Sequence, residues 1–326
     1  MISILKNEDI GFATTSFVFT RMQVLVWIAN GTACLGLIEK DAGKLLSKML
    51  LEFEIDKPLV VSFKNIVNID DHALDDVFDC LNSNQRQLVI LDGYHLVEII
   101  HRLKKGSQAN IDTKSESNII AVGKNLPINL EDIESERKLA KNNFLKNTVK
   151  DTFRKFEEEK RLSSTPIITN GEFDSNRILS NPKYFIWITA FLSDALRELL
   201  DRTTLKKVKL LSASLRGAPF ASMLGMLHNL EYETIDHFGP KHKVFEFDFI
   251  KKIEKGTSYI YVGDFCFAGT EIKIAKTYTE LKSSKLEHAL VIGNLIEAAV
   301  FKDDFELVSL TNLNDLESGA TYKLLW

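Results

Sequence analysis

Cysteine is scarce in this chain: Cys34, Cys80 and Cys266 are the only three in 326 residues. They stand at no metal-ligand spacing, so no metal site is expected, and their odd number fits no disulfide framework. A reducing cytoplasm is the simplest setting. Long apolar runs are missing too. The longest candidate, QVLVWIANGTACLGLI, is broken at Asn30-Gly31 and is shorter than a bilayer demands. It reads as a pair of buried strands, and no membrane partner is expected. The opening MISILKNEDIGF has no basic region ahead of an apolar core, so no signal peptide is expected. Nor is there a basic excess. A net charge of −4 argues against a non-specific nucleic-acid binder, while leaving room for a local basic pocket that takes a polyanionic small molecule.

What is there is the composition of a soluble globular protein, 45% hydrophobic and 26% charged, in a chain long enough for two domains. Residues 1–108 alternate strand and helix patterns. ATTSFVFT and QVLVWIA are β-rich, and KPLVVSF and RQLVILDG are short apolar strands. DAGKLLSKMLLEF carries Leu45, Leu46, Met49, Leu50 and Phe53 at helical spacing. DDHALDDVFDCL is a helix with carboxylates at its positive end, and HLVEIIHRL is a further amphipathic helix. His72, His95 and His101 lie in these helical surroundings and read as structural or solvent-facing. Residues 109–164 read as a polar linker followed by one long charged helix. Its narrow stripe of Ile133, Leu139, Ala140, Phe144, Val149, Phe153 and Phe156 packs either along a domain or against a second copy. Residues 165–326 resume the strand–helix rhythm. There TPIITNGEFDSNRIL reads as strand, turn and second edge strand. The fold class is α/β, with a parallel sheet and helices on its faces.

In such a sheet ligands bind beyond the carboxyl ends of the strands. Two loops there carry chemistry. In LLSASLRGAPFASMLGML a strand ends at Ser212-Ala213-Ser214, and Arg216-Gly217 precede a helix. Small residues let the backbone approach a ligand, the amides of the coming helix attract an anion, and Arg216 adds a bidentate phosphate contact. In YIYVGDFCFAGTEIKIA a strand runs into Asp264, then Phe265, Cys266, Phe267, Ala268, Gly269 and Thr270. An acid at a strand end binds sugar hydroxyls. The amides from Cys266 to Thr270, with the Thr270 hydroxyl, wrap a phosphate at a helix start. The plain alternative is that Asp264 or Thr270 merely caps that helix.

Taken in chain order, these stretches resemble the type I phosphoribosyltransferases, most of all orotate phosphoribosyltransferases, over roughly residues 165–300. TPIITNGEFDSNRIL looks like the family's hood and PKYFIWITAFLSDALREL like its first long helix. SASLRGAPFASML resembles its pyrophosphate loop, with Ser214, Arg216 and Gly217 as ligand contacts. IDHFGPKHKVFEF sits at its mobile basic loop, and YIYVGDFCFAGTE resembles its ribose-phosphate signature. The resemblance implies 5-phosphoribosyl-1-pyrophosphate as ligand, with Mg²⁺ when that ligand binds, and displacement of pyrophosphate by a base nitrogen. It implies catalytic roles for Asp264 and Lys241, and ligand contacts for His242, Lys243, Cys266, Phe267, Ala268, Gly269 and Thr270. The chain departs from the pattern. Gly263 replaces the first of two acids, Ala268 a threonine, and Glu271 puts a negative charge beside the phosphate cradle.

Residues 41–93 resemble STAS-like domains. The position after Asp71 is His72, without a hydroxyl, so the phosphorylation switch of the anti-sigma-antagonist branch is not expected, and Asp71 reads as a helix cap. That resemblance implies a protein partner. Proteins with such phosphoribosyltransferase domains often pair as homodimers. Both domain types recur in bacterial defence and stress operons, and the Lys- and Asn-rich composition is compatible with a bacterium. Two expectations follow. One is a regulatory or ligand-sensing protein binding a phosphoribosyl or nucleotide-type small molecule. The other is an active Mg²⁺-dependent phosphoribosyltransferase with an unidentified base as acceptor.

Overall fold

The computed structural model describes residues 3–6, 11–14, 25–28, 31–34, 37–38, 40–52, 59–63, 66–84, 86–105, 110–114, 118–123, 130–161, 167–202, 207–235, 253–295, 305–315 and 321–324. The chain divides into two compact units, Met1–Phe144 and Leu145–Trp326.

The first unit holds strands β1 (Ser3–Lys6), β2 (Gly11–Thr14), β3 (Leu25–Ile28), β4 (Gly31–Cys34) and β5 (Leu37–Ile38), then helix α1 (Lys40–Glu52). β6 (Leu59–Ser62), β7 (Asn68–Ile69), α2 (Asp75–Ser83), β8 (Gln87–Leu91), α3 (Val97–Leu103), β9 (Ile111–Lys114) and β10 (Ile119–Gly123) follow. Six strands form one mixed sheet in the order β1-β2-β6-β8-β10-β9. Only the β2–β6 and β6–β8 pairs are parallel. β3 and β4 pair antiparallel on either side of Asn30, as the broken apolar run suggested. Leu46 and Leu50 of α1, Val77 and Phe78 of α2, and Leu88 and Ile90 of β8 share one buried cluster. The spacing in DAGKLLSKMLLEF thus supplies Leu46, Met49 and Leu50 to the core while Leu45 is exposed, and the apolar run RQLVILDG is a core strand.

Two expectations for this half change. The polar stretch read as linker contains β9, and IIAVG behind it is β10; together they complete the sheet beyond β8. Pairing with β8 buries Ile119, Ile120 and Val122, a reward that polar flanking residues do not advertise. Asp71 does not cap α2 but pairs with Arg102 at 3.2 Å, while Asp70 accepts the His72 amide.

Helix α4 (Leu130–Thr152) spans the division between the units. The single helix expected over 131–162 ends there, and Phe153–Arg161 form strand β11 instead. FRKFEEEKR has good intrinsic helix propensity, yet pairing with β12 (Ile167–Phe173) outweighs it. The Phe153 ring packs 5.1 Å from Phe173, and the Asp174 amide donates to the Thr152 carbonyl at the point of departure. β18 (Tyr322–Leu324) completes this three-stranded antiparallel sheet. The second edge strand expected after β12 is a short helix, α5 (Asn176–Ser180), entered through an Asp174 side chain that accepts the Asn176 amide.

The remaining elements are α6 (Pro182–Arg202), β13 (Val208–Ser212), α7 (Ala218–His228), β14 (Tyr232–Thr234), β15 (Ser258–Cys266), α8 (Thr270–Leu281), β16 (Lys285–Asn294) and β17 (Glu306–Asn312). β13 to β17 form a five-stranded, wholly parallel sheet in the order β14-β13-β15-β16-β17. The chain steps one way from β13 to β14, then reverses and steps the other way from β15 to β17. Right-handed crossovers then put α7 and α8 on opposite faces. Strand alternation agrees: Leu211, Tyr259, Tyr261 and Val291 share a buried cluster with Ile272 and Ala275 of α8. No described helix is long and apolar enough to cross a membrane.

Candidate functional site

A sheet ordered 2-1-3-4-5 has its switch point between its first and third strands, and ligands bind beyond the strand carboxyl ends there. In this unit those strands are β13 and β15, and the loops that leave them are the two singled out from the sequence.

After β13, the Gly217 amide donates to Ser214 Oγ at 3.0 Å, the Ala218 amide to the Ser214 carbonyl, and Ser212 Oγ to the same carbonyl at 3.2 Å. The turn is thus closed by its own serines. Ser214 is buried, while Leu215 and Arg216 are exposed at the tip. Gly217 is needed for close approach. A Cβ there would lie 2.6 Å from Ser212 Oγ and 2.8 Å from the Val262 carbonyl oxygen. This contact holds the Arg216 loop against β15.

β15 runs two residues further than the sequence suggested, so Asp264 is still within the strand, half-buried near its carboxyl end. Phe265 and Phe267 beyond it lean on Phe173 of β12, at 5.3 and 6.0 Å between ring centres. Cys266 is buried, and burial pushes its thiol up to about 12 even though a backbone hydrogen bond from Gly269 opposes the shift. It is no nucleophile at neutral pH. Gly269 has φ +65°, the left-handed conformation that glycine adopts freely, and so turns the chain into α8. Ala268 and Thr270 are half-buried beside it. Neither Asp264 nor Thr270 caps α8, whose start carries no side-chain cap. The catalytic candidate Lys241 and the ligand candidates His242 and Lys243 lie outside the described residues.

Two further residues complete the arrangement. At Gly263 a Cβ would lie 2.7 Å from Tyr261 Cε1 and 3.3 Å from its hydroxyl oxygen, so the Tyr261 ring fills the space that a side chain at 263 would take. The Tyr261 hydroxyl donates to Glu271 Oε2 at 3.0 Å. Glu271 therefore points inward from the first turn of α8. Burial, then the charge of Asp264, raise its carboxyl above the ordinary value, while Tyr261 and Arg216 oppose that rise. Burial, then the charges of Glu271 and Asp264, also hold the Tyr261 phenol well above its usual range. Tyr261 was not singled out from sequence. The signal was there, since residues i and i+2 share a strand face and a glycine two places from a tyrosine leaves room for the ring.

The site thus gathers Asp264, Glu271, Arg216 and the start of α8. Carboxylates accept hydroxyl protons, and an arginine with helix amides receives an anion. A second cluster of ionisable groups lies at the other end of the same strands. Lys209, nearly buried, meets Glu231 at 2.6 Å, Glu254 at 2.5 Å and Glu233 at 3.3 Å. These carboxylates raise the lysine against the opposing effect of its burial, the largest single influence. Tyr259 donates to Glu233, and Lys207 pairs with Glu254 at 2.6 Å. This network ties the amino ends of β13, β14 and β15 together, away from the loops that carry the site.

No family model matches the chain, and no curated protein matches it. Among solved structures, the chain is similar to orotate phosphoribosyltransferase from Aeropyrum pernix, with 19% identity over 52% of this chain and 94% of that one, at a TM-score of 0.42. It is also similar to adenine phosphoribosyltransferase from Thermoanaerobacter pseudethanolicus, with 16% identity over 51% and 99% of the two chains and a TM-score of 0.39. Adenine phosphoribosyltransferase from Leishmania donovani matches at 14% identity over 53% and 81%, with a TM-score of 0.40. Likeness at this level speaks for neither an activity nor a ligand.

Proposed function

We propose that the second unit binds a phosphoribosyl or nucleotide-type small molecule at the carboxyl ends of β13 and β15, and that the protein uses this binding for regulation or sensing. The observation that carries the proposal is that Asp264 and the Arg216 loop stand at the carboxyl ends of the neighbouring strands β15 and β13, at the switch point of a parallel sheet, with Glu271 in the first turn of the helix that follows. In this reading the amides of residues 266–270 and Arg216 take the phosphate, and Asp264 takes the sugar. Glu271 tempers the affinity for phosphate, because a carboxylate beside the cradle repels it. That favours a reversible sensor over an enzyme that must hold a charged diphosphate tightly.

The first unit, which resembles STAS-like domains, serves in this proposal as the protein-contact module. Its Asp71-His72 turn offers no hydroxyl to phosphorylate, and Asp71 is engaged with Arg102. Light scattering of the full chain tests the homodimer that the resemblance implies.

The enzyme remains the second reading. It is favoured by the retained Asp264, Gly269, Thr270 and Arg216 at the carboxyl ends of β15 and β13. A phosphoribosyltransferase would bring in Mg²⁺ with its ligand. The donors fit that ion, since Mg²⁺ is commonly held by one or two carboxylates plus substrate phosphates, and Asp264 supplies one such carboxylate. Among the described residues no group of three or more His, Cys, Asp or Glu could hold a metal by itself. Bound there, Mg²⁺ would neutralise phosphate charge. Arg216 and the loop amides would orient the anion.

Calorimetric titration of the full chain with 5-phosphoribosyl-1-pyrophosphate, with and without Mg²⁺, tests both readings against an Asp264→Ala control. Micromolar binding that is lost in the control supports the site. A strict need for Mg²⁺, followed by pyrophosphate release when bases are added, would select the enzyme. No heat and no thermal shift up to millimolar ligand would remove both.

A further inference from the structure

We propose that Glu271 is the second ligand-binding carboxylate of this site, accepting a hydroxyl of the ribosyl group beside Asp264 from α8 rather than from the strand. The inference rests on the phosphoribosyl reading above and assigns a role within it.

Three features carry it. First, the strand cannot supply the group itself. Any side chain at position 263 meets the Tyr261 ring within 2.7 Å, and that ring is buried. Second, the same Tyr261 aims a carboxylate inward from the neighbouring helix, using Glu271 Oε2 at 3.0 Å. Among the described residues Oε1 carries no hydrogen bond, so its lone pairs are available to a donor. Third, the charges that act on Glu271, which is half-buried, are those of Asp264 near the end of β15 and Arg216 on the loop after β13, the two strands at the switch point.

The charges select the kind of group received. Two carboxylates against one guanidinium leave a local excess of negative charge. A phosphate seated directly on Glu271 would be repelled, whereas a sugar hydroxyl is a neutral donor and both carboxylates are pure acceptors. The anion then belongs with the amides and Arg216, and the diol with Asp264 and Glu271. A carboxylate partly withdrawn from water beside a like charge is costly for stability, and such groups gather at functional sites.

The test compares a ligand that carries the sugar with one that lacks it. Wild-type protein, Glu271→Gln and Tyr261→Phe are titrated with 5-phosphoribosyl-1-pyrophosphate and with inorganic pyrophosphate, each in Mg²⁺ and in EDTA, after melting curves confirm that the variants fold. A hydrogen bond to a charged acceptor predicts that Glu271→Gln weakens the sugar-bearing ligand by about 10- to 100-fold. Pyrophosphate should bind as well as before or more tightly, because a repulsive charge is gone. Tyr261→Phe should move the sugar-bearing ligand in the same direction by less, since it frees the carboxylate without removing it. Equal changes for the two ligands, or none, would overturn the assignment. So would a loss confined to Mg²⁺, which would make Glu271 a metal ligand. If the wild type does not bind the sugar-bearing ligand at all, the phosphoribosyl reading falls and this inference with it. If the wild type binds and Glu271→Gln binds alike, only the inference falls.

Discussion

Replacing Gly263 by alanine puts a single methyl group where the Tyr261 ring lies. The backbone at 263 is ordinary strand, outside the positive φ positions, so alanine meets no conformational penalty there. On its own, glycine to alanine in a strand would stabilise by about 0.5–1 kcal/mol, through the entropy of the unfolded chain. Against this stands a contact of 2.7 Å to a ring atom of a side chain that is 2% exposed and closed in by the core shared with α8. Forcing an extra methyl into such packing costs about 1–3 kcal/mol. The net expectation is a loss of up to about 2.5 kcal/mol, the difference of those two effects. For a unit of this size, that lowers the melting temperature by up to about 10 °C. Calorimetry of the full chain reads the transition of the second unit. A double-mutant cycle with Tyr261→Ala isolates the cause, because removing the ring should abolish the cost of the methyl. If Gly263→Ala gains the full amount of about 0.5–1 kcal/mol expected of an unhindered site, or is equally destabilising with and without the ring, the account of why this strand carries no side chain at 263 is wrong.

Glu271→Gln should raise the melting temperature of the second unit at neutral pH. A carboxyl whose folded pKa is raised binds its proton more tightly when folded, so its contribution is most favourable below the unfolded value near 4.5 and is lost as pH rises through the folded pKa. The advantage of the glutamine variant should therefore shrink as pH falls through the folded pKa toward about 4.5 and be gone below it, and a pH-independent difference would contradict this. Lys209→Met leaves the half-buried Glu233 without its cation, while Glu231 and Glu254 can turn to water; a loss of about 2–3 kcal/mol in urea unfolding is expected, at or below the low end for breaking a buried pair. Glu254 shows the opposite sign to Glu271: hydrogen bonds from Lys207 and then Lys209 hold it down to about 2. Its stabilising contribution is present above 4.5 and fades as pH falls toward 2, so Glu254→Gln should flatten the acid limb of the stability profile. Native protein should resist alkylation at Cys266 at pH 8, because the thiol is buried and pushed up to about 12; rapid labelling there would show that the loop opens.

Much of the frame was legible in the sequence because it is written in local periods. Apolar spacing placed α1, α6 and α8, and the short apolar runs placed β6, β8, β13 and β15 within a residue or two and β16 within three. Strand–helix alternation implied a parallel sheet, and a parallel sheet implied that Ser214–Gly217 and Asp264–Thr270 would stand at its carboxyl ends. What no local period holds is pairing. Phe153–Arg161 is helical by composition and became a strand because β12 lay ready to pair with it. The expected linker and the segment behind it became the two strands of the hairpin that completes the first sheet for the same reason.

The candidate site divides along the same line. The residue types and their place after two strands follow from the sequence, since small residues, an acid and a glycine turn before a helix are local features. Three things had to come from the tertiary structure: the order of the strands, which makes β13 and β15 neighbours at the switch point; the ring of Tyr261 in the space above Gly263; and the inward direction of Glu271. A side chain's direction depends on which surface its helix packs against, and the room left by a glycine depends on what fills it. Both are set by contacts between segments far apart in the chain.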